Sequence, residues 1–101
     1  MNYSKKPTKL FLKKLSKYSK TNQQLYKEII ESLNIISEDP FQKQNKRLKS
    51  KKCPKCKRYR IGNYRIVYYV NTKKGFIELM DVDDRASIYR KYWLNHTITY
   101  K

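Results

Sequence analysis

Three arginines, Arg58, Arg60 and Arg65, bracket a Gly62-Asn63 pair in the stretch KRYRI-GN-YRIVYYV. Residues 57 to 61 and 64 to 70 are rich in β-branched and aromatic side chains, and a glycine followed by a polar residue is a favoured two-residue hairpin turn. Such a turn fixes the register. Ile61 then stands opposite Tyr64, Arg60 opposite Arg65, Tyr59 opposite Ile66 and Arg58 opposite Val67. Opposed residues share a face and neighbours alternate. One face carries Tyr59, Ile61, Tyr64, Ile66, Tyr68 and Val70, a core surface. The other carries Arg58, Arg60 and Arg65 with Val67 and Tyr69. Like charges set opposite each other destabilise a sheet, so Arg60 against Arg65 is a cost without a benefit to the fold. Local rules broken in this way tend to mark function. Guanidinium forks match phosphate oxygens bidentately, so three on one face make a phosphate clamp. The plainer alternative is a solvated basic face, its arginines paired with Asp81 or Glu78 from the next strand.

Other elements must position that face. Residues 8 to 19 (TKLFLKKLSKYS) predict a helix, with Phe11, Leu15 and Tyr18 at helical spacing, Leu12 beside them and Pro7 at the entry. Residues 22 to 37 predict a stronger helix on the stripe Leu25, Ile29, Leu33 and Ile36, widened by Tyr26 and Ile30, with Ser19, Thr21 or Asn22 as cap and Pro40 as terminator. The short connection makes an antiparallel hairpin of the two. Residues 41 to 56 read as a basic loop. Residues 76 to 82 (FIELMDV) read as a third strand, and Ala86 to Leu94 as a short strand or helix. Helices first and a strand meander after give an α+β class: an N-terminal helical hairpin packed on a small, mainly antiparallel twisted β-sheet.

At 101 residues the chain has the length of one domain, 1–101. Its formal charge is +17, and it is unevenly spread: between Pro40 and Ile77 there are thirteen lysines and arginines and no acid. A block that basic predicts a polyanionic partner, most often nucleic acid. Lys49, Lys51, Lys52, Lys55 and Lys57, with Tyr69, are the candidate nucleic-acid contacts. No apolar run is long enough for a membrane span or a signal-peptide core, so a membrane role is excluded and a cytoplasmic setting is the expectation. Two cysteines cannot build a disulfide framework. Cys53-Pro-Lys-Cys56 offers zinc at most three ligands with His96, and a thioredoxin-type redox pair would want a βαβ setting, so a plain basic loop is the favoured reading. His96 reads as an exposed tail residue, and Tyr92 and Trp93 as tail anchors.

The stretch from Arg58 to Tyr68, followed by a third strand and by Asp84-Arg85-Ala-Ser-Ile-Tyr89-Arg90, resembles the RelE/ParE toxin superfamily of toxin–antitoxin systems. LFLKKL at 10 to 15, the second helix, Glu38-Asp39-Pro40 and Arg47-Leu48-Lys49 extend the resemblance over residues 4 to 92. It implies a RelE-like fold and, in the RelE branch, a ribosome-dependent cut of mRNA in the A site by the RNA's own 2′-OH, with no metal or cofactor. Arg65 matches the strand arginine that stabilises the phosphorane. Arg58 and Arg60 match a basic pair that is lysine in the best-known branch. Tyr89 matches a C-terminal tyrosine that stacks on or orients a base, and Arg85 the arginine four residues before it. Two positions depart from the pattern: Asp83 stands where a second arginine is expected, and only Asn2 to Lys5 is left for the family's opening strand. Arginine is a poor general base, so Tyr69 or Tyr89 is the better candidate. The resemblance also implies a cognate acidic antitoxin that covers the arginine face or displaces the C-terminal segment. A ParE-like inhibitor of DNA gyrase, or an inactive relic that binds RNA or antitoxin, are the alternatives.

Overall fold

The computed structural model describes residues 3–48 and 50–94. Thr8 starts α1 (Lys9–Thr21), its hydroxyl accepting from the Phe11 N–H at 3.2 Å. A single residue then makes the joint to α2 (Gln23–Glu38). The Asn22 N–H closes α1 on the Tyr18 carbonyl at 2.8 Å, and its side-chain oxygen opens α2 by accepting from the Leu25 N–H at 3.2 Å. Each orphan end group of the two helices met in this way is stabilised by about 1 kcal/mol.

The sheet has the order β1-β4-β3-β2. β2 (Lys57–Ile61), β3 (Tyr64–Asn71) and β4 (Phe76–Asp84) form the expected antiparallel meander. The hairpin between β2 and β3 closes with Gly62 at φ +53°, the left-handed conformation that suits glycine. β1 (Ser4–Pro7) lies parallel to β4, from Ser4 beside Phe76 to Pro7 beside Leu79. Chain order therefore places the family's opening strand two residues later than the segment expected for it.

One irregularity organises the faces. Val67 pairs with Asp81, but Tyr68 pairs with Leu79, so Met80 is an extra residue in β4. This bulge re-aims the strand. Ile77, Leu79 and Val82 all reach the helix side although their spacing breaks strict alternation. There they join Ile66 and Tyr68 against Phe11, Tyr18, Leu25, Ile29, Leu33 and Ile36.

The opposite face is not the open basic surface that strand alternation alone implies. Half of it is closed by a second buried cluster of Leu48, Cys56, Val67, Ile88 and Tyr92, with Met80 and Tyr69 against it. That cluster is built from the 41–56 loop, α3 (Arg85–Tyr89) and a π-helical turn, Arg90–Leu94. The Ala86 to Leu94 segment is thus helical, not a strand. The other half of the face is left to the arginines.

Candidate active site

β2 and β3 present Arg58, Arg60 and Arg65 in the register that the turn dictates, with Arg60 directly opposite Arg65. α3 supplies the remaining groups. Its first N–H, that of Arg85, donates to the Asn63 carbonyl at 2.8 Å, which ties the helix to the hairpin turn. Asp84 caps it, accepting from the Ser87 N–H at 2.8 Å and from the Ser87 hydroxyl at 2.9 Å. Those bonds hold the Asp84 carboxyl below the usual carboxylate range, helped by the charge of Arg90. Arg85 and Tyr89 are thereby swung over the arginines. Arg58, Arg60, Gly62, Asn63, Arg65, Arg85 and Tyr89 line one open cleft of about 460 Å³.

Arg65 is the floor of that cleft and is only 5% exposed. Its Nη1 donates to the Gly62 and Tyr64 carbonyls, each at 3.0 Å. Its Nε is buried without an acceptor, as is the Nε of Arg58. Burial pulls the Arg65 pKa down; Tyr89 opposes this, and Arg60, Arg58 and Arg85 add to it. Among the described residues no carboxylate forms an ion pair with these arginines. The ion pairs among the described residues join Lys14 to Asp81 and Asp83, and Lys91 to Asp81. Asp81 is therefore not a partner of the arginine face. Asp83 stands opposite Arg65 in the ladder, yet its carboxylate is held by Lys14 at 3.0 Å. An arginine cluster with empty donors and no counter-charge is a site for an anion with several oxygens, of which phosphate is the commonest.

Tyr89 is the one phenol in the cleft. Burial would raise its pKa, but a hydrogen bond from Arg85 and the charges of Arg85, Arg58 and Arg65 outweigh this, and the net shift is downward. The Arg85 guanidinium also lies 4.7 Å from the ring centroid, a cation–π contact that fixes the ring. Tyr69 lies elsewhere, beside Cys53, Pro54 and Met80 in an apolar groove. Of the two tyrosines weighed as a base, only Tyr89 reaches the arginines.

The lysines divide. Lys51, Lys52 and Lys55 are exposed on the 41–56 loop. The Lys57 ammonium instead donates to the Asn45 carbonyl at 3.0 Å and supports that loop. Lys49 and His96 lie outside the described residues, as does the Trp93 side chain. Tyr92 is buried, its hydroxyl donating to Asp81 at 3.2 Å, so it anchors the end of the chain as expected. Cys53 and Cys56 are joined in a disulfide, which replaces the reading of this segment as a plain loop. Among the described residues no cluster of His, Cys, Asp or Glu could hold a metal ion, and no helix is long and apolar enough to cross a membrane.

Gly62 and Asn63 were not among the sequence candidates, although a two-residue turn between two arginine-bearing strands necessarily sits at the cleft's end. Lys14 was also missed, because nothing in α1 distinguishes it from the neighbouring lysines.

A family model described as the ParE toxin of type II toxin–antitoxin systems matches residues 6–89. No curated protein matches the chain. Among solved structures, it is similar to the toxin–antitoxin complex RelBE2 from Mycobacterium tuberculosis, with 21% identity, TM-score 0.72, and 85% of this chain and 94% of that chain covered. It is similar to a mutant of the E. coli toxin RelE in the free state, with 22% identity, TM-score 0.70, and coverage of 95% and 98%. The archaeal RelE-RelB complex from Pyrococcus horikoshii OT3 matches at 26% identity, TM-score 0.62, and coverage of 84% and 97%.

Proposed function

From the premise that this chain belongs to the ParE toxin family of type II toxin–antitoxin systems, we propose that it is a ribosome-dependent mRNA endoribonuclease. The observation that carries the reading is the convergence of Arg58, Arg60, Arg65 and Arg85, none in an ion pair among the described residues, on one cleft beside a phenol of lowered pKa.

The reaction is attack of a ribose 2′-oxygen on the adjacent phosphorus. The bond from phosphorus to the 5′-oxygen breaks, leaving a 2′,3′-cyclic phosphate and a 5′-hydroxyl. It needs a base for the 2′-OH proton, cations for the extra charge on the phosphorane, and a proton for the leaving oxygen. Tyr89 as phenolate takes the first proton. Arg65, clamped by two backbone carbonyls, is a rigid cationic floor for the charge that develops on the phosphorane. Arg58 and Arg60 hold the remaining phosphate oxygens. Arg85 stabilises the phenolate of Tyr89, and the leaving oxygen takes its proton from water.

The relatives solved as complexes pair a RelE toxin with a RelB antitoxin. A cognate acidic antitoxin that covers the cleft, or draws away the segment after β4 that carries Arg85 and Tyr89, would silence this chain.

Ribosomes programmed with mRNA and mixed with the protein should yield cuts in the A-site codon, and Arg65→Ala should abolish them. Intact mRNA at saturating protein refutes the reading. The second reading, a DNA gyrase poison, is favoured by one observation, that the matching family is described by ParE. Trapped gyrase cleavage complexes in a supercoiling assay would establish it instead. If wild type and Arg65→Ala allow equal growth, the chain is an inactive binder.

A further inference from the structure

We propose that the Cys53–Cys56 disulfide is a site of reversible thiol–disulfide exchange, attacked at Cys53 by a dithiol reductant. This is a second chemistry, outside the lining of the arginine cleft and independent of what that cleft cuts, although Tyr89 of the cleft packs against the same buried cluster as the two cysteines. The two sulfurs differ sharply in access. Cys56 is fully buried among Leu48, Val67, Ile88 and Tyr92. Cys53 is half-buried and lines an open groove with Lys52, Pro54, Lys55, Tyr69, Met80 and one carboxylate, Glu78, which the lysines outnumber. An attacking thiolate can reach one sulfur only.

The surroundings favour that attack. The attacking group is an anion, and Lys51, Lys52 and Lys55 are exposed around the pair, so the local field draws it in. The bridge spans a sequence separation of only three. The backbone around it is held by other means: the Cys56 N–H donates to the Cys53 carbonyl at 3.2 Å, the Leu48 N–H to the Cys56 carbonyl at 2.8 Å, and Arg47 Nη2 to the Pro54 carbonyl at 2.9 Å. Breaking the S–S bond therefore leaves the loop in place, with both sulfurs poised to close again.

The step balances with a dithiol as reductant. One of its thiolates attacks Cys53 Sγ, forms a mixed disulfide and expels Cys56 as a thiolate, which is protonated. The second thiolate attacks the reductant's own sulfur, releases Cys53 and leaves the reductant as its cyclic disulfide. Two electrons and two protons pass to the protein. An oxidised dithiol reverses the sequence.

The test uses the wild-type chain. Purified in air-equilibrated buffer, it should take up no iodoacetamide. After dithiothreitol it should take up two equivalents, with Cys53 alkylated about tenfold or more faster than Cys56. Oxidised dithiothreitol should restore the blocked state, and far-UV circular dichroism should stay constant throughout. In parallel, Cys56→Ser should form a mixed disulfide with oxidised glutathione faster than Cys53→Ser. If either variant fails to fold, the wild-type alkylation order decides. Resistance of the folded chain to excess dithiothreitol would make the bridge a static staple. Free thiols in the air-equilibrated protein, or zinc released on alkylation, would also overturn the proposal.

Discussion

A buried guanidinium is costly unless its donors are met, and Arg65 has Nη1 met by two carbonyls and Nε by nothing. An anion held in the cleft would offset the charge of this guanidinium, so part of the cost of burying Arg65 is returned on binding. Lysine cannot reproduce this, because an ammonium lacks the planar fork that bonds two carbonyls and still points a donor outward. Arg65→Lys should lower the cleavage rate on programmed ribosomes about 100-fold, nearly as far as Arg65→Ala, whereas a rate within a few-fold of wild type would show that only charge matters. Tyr89 makes a pH-dependent prediction. Its pKa lies below the ordinary value of 10 because Arg85, Arg58 and Arg65 favour the phenolate. The base is therefore present above that pKa and lost as pH falls through it. Cleavage should rise with pH through a midpoint below 10. Tyr89→Phe should cost about 100-fold and flatten the rise. A profile that keeps its slope in Tyr89→Phe would assign the base elsewhere.

At the scale of elements, the π-helical turn Arg90–Leu94 is latched to the sheet through Asp81. This carboxylate is fully buried and accepts from Lys14 of α1 at 2.7 Å, Lys91 at 2.8 Å and Tyr92 at 3.2 Å. Burial alone would raise its pKa, yet the two lysines reverse that and lower it. A lowered carboxylate pKa stabilises the fold above the unfolded value, and that stability is lost as pH falls through the folded one. The loss is thus confined to acid below about pH 4. Asp81→Asn takes one counter-charge from Lys14, which keeps Asp83 at 3.0 Å, and one from Lys91. It should destabilise by about 2 kcal/mol, measured by urea unfolding at neutral pH, and the difference from wild type should shrink progressively as pH falls below about 4. Gly62→Ala tests the turn. A Cβ there would meet nothing within 4 Å, so only the φ of +53° opposes it; the cost should be about 1 kcal/mol, and Gly62→Asn should recover most of it.

The same elements show what a sequence can disclose. The β2–β3 register was readable residue by residue because a two-residue turn leaves no freedom. The helix pair was readable because Phe11, Tyr18, Leu25, Ile29, Leu33 and Ile36 keep one period. β1 was not, since SKKP has no buried residue and owes its conformation to the distant β4. The bulge at Met80, set within the β3–β4 pair, and the reach of Lys14 to Asp81, 67 residues away, were equally silent. Strand pattern alone made the cleft legible as far as its strand arginines, and the family resemblance added Arg85 and Tyr89. What completes it, the Arg85 N–H on Asn63, is a tertiary contact. The closure of half the outer face by the 41–56 loop was missed because its buried anchors, Leu48 and Cys56, are isolated apolar positions in a basic stretch.

For the whole molecule, the charge of +17 resolves into populations with different work to do. Lys14, Lys57 and Lys91 are spent on Asp81, Asp83 and the Asn45 carbonyl. Arg58, Arg60, Arg65 and Arg85 converge on one cleft. Lys51, Lys52 and Lys55 stand exposed on a loop that contributes nothing to that cleft. The last group should act at a distance, drawing a polyanion in without touching the reacting phosphate. Salt dependence separates the two roles, because each neutralised phosphate of a single strand contributes about −0.7 to the slope of log K against log salt. Binding to an uncleavable 2′-deoxy oligonucleotide should show a slope of at least about −3 if the four cleft arginines are engaged. Replacing Lys51, Lys52 and Lys55 together by glutamine should flatten the slope by up to about 2 while leaving the cleavage rate at saturating protein unchanged. Arg60→Gln should flatten it by only about 0.7 yet lower that rate. If the triple lysine variant lowers the saturated rate as well, the loop belongs to the catalytic surface, and the division of charge argued here between attraction and chemistry is wrong.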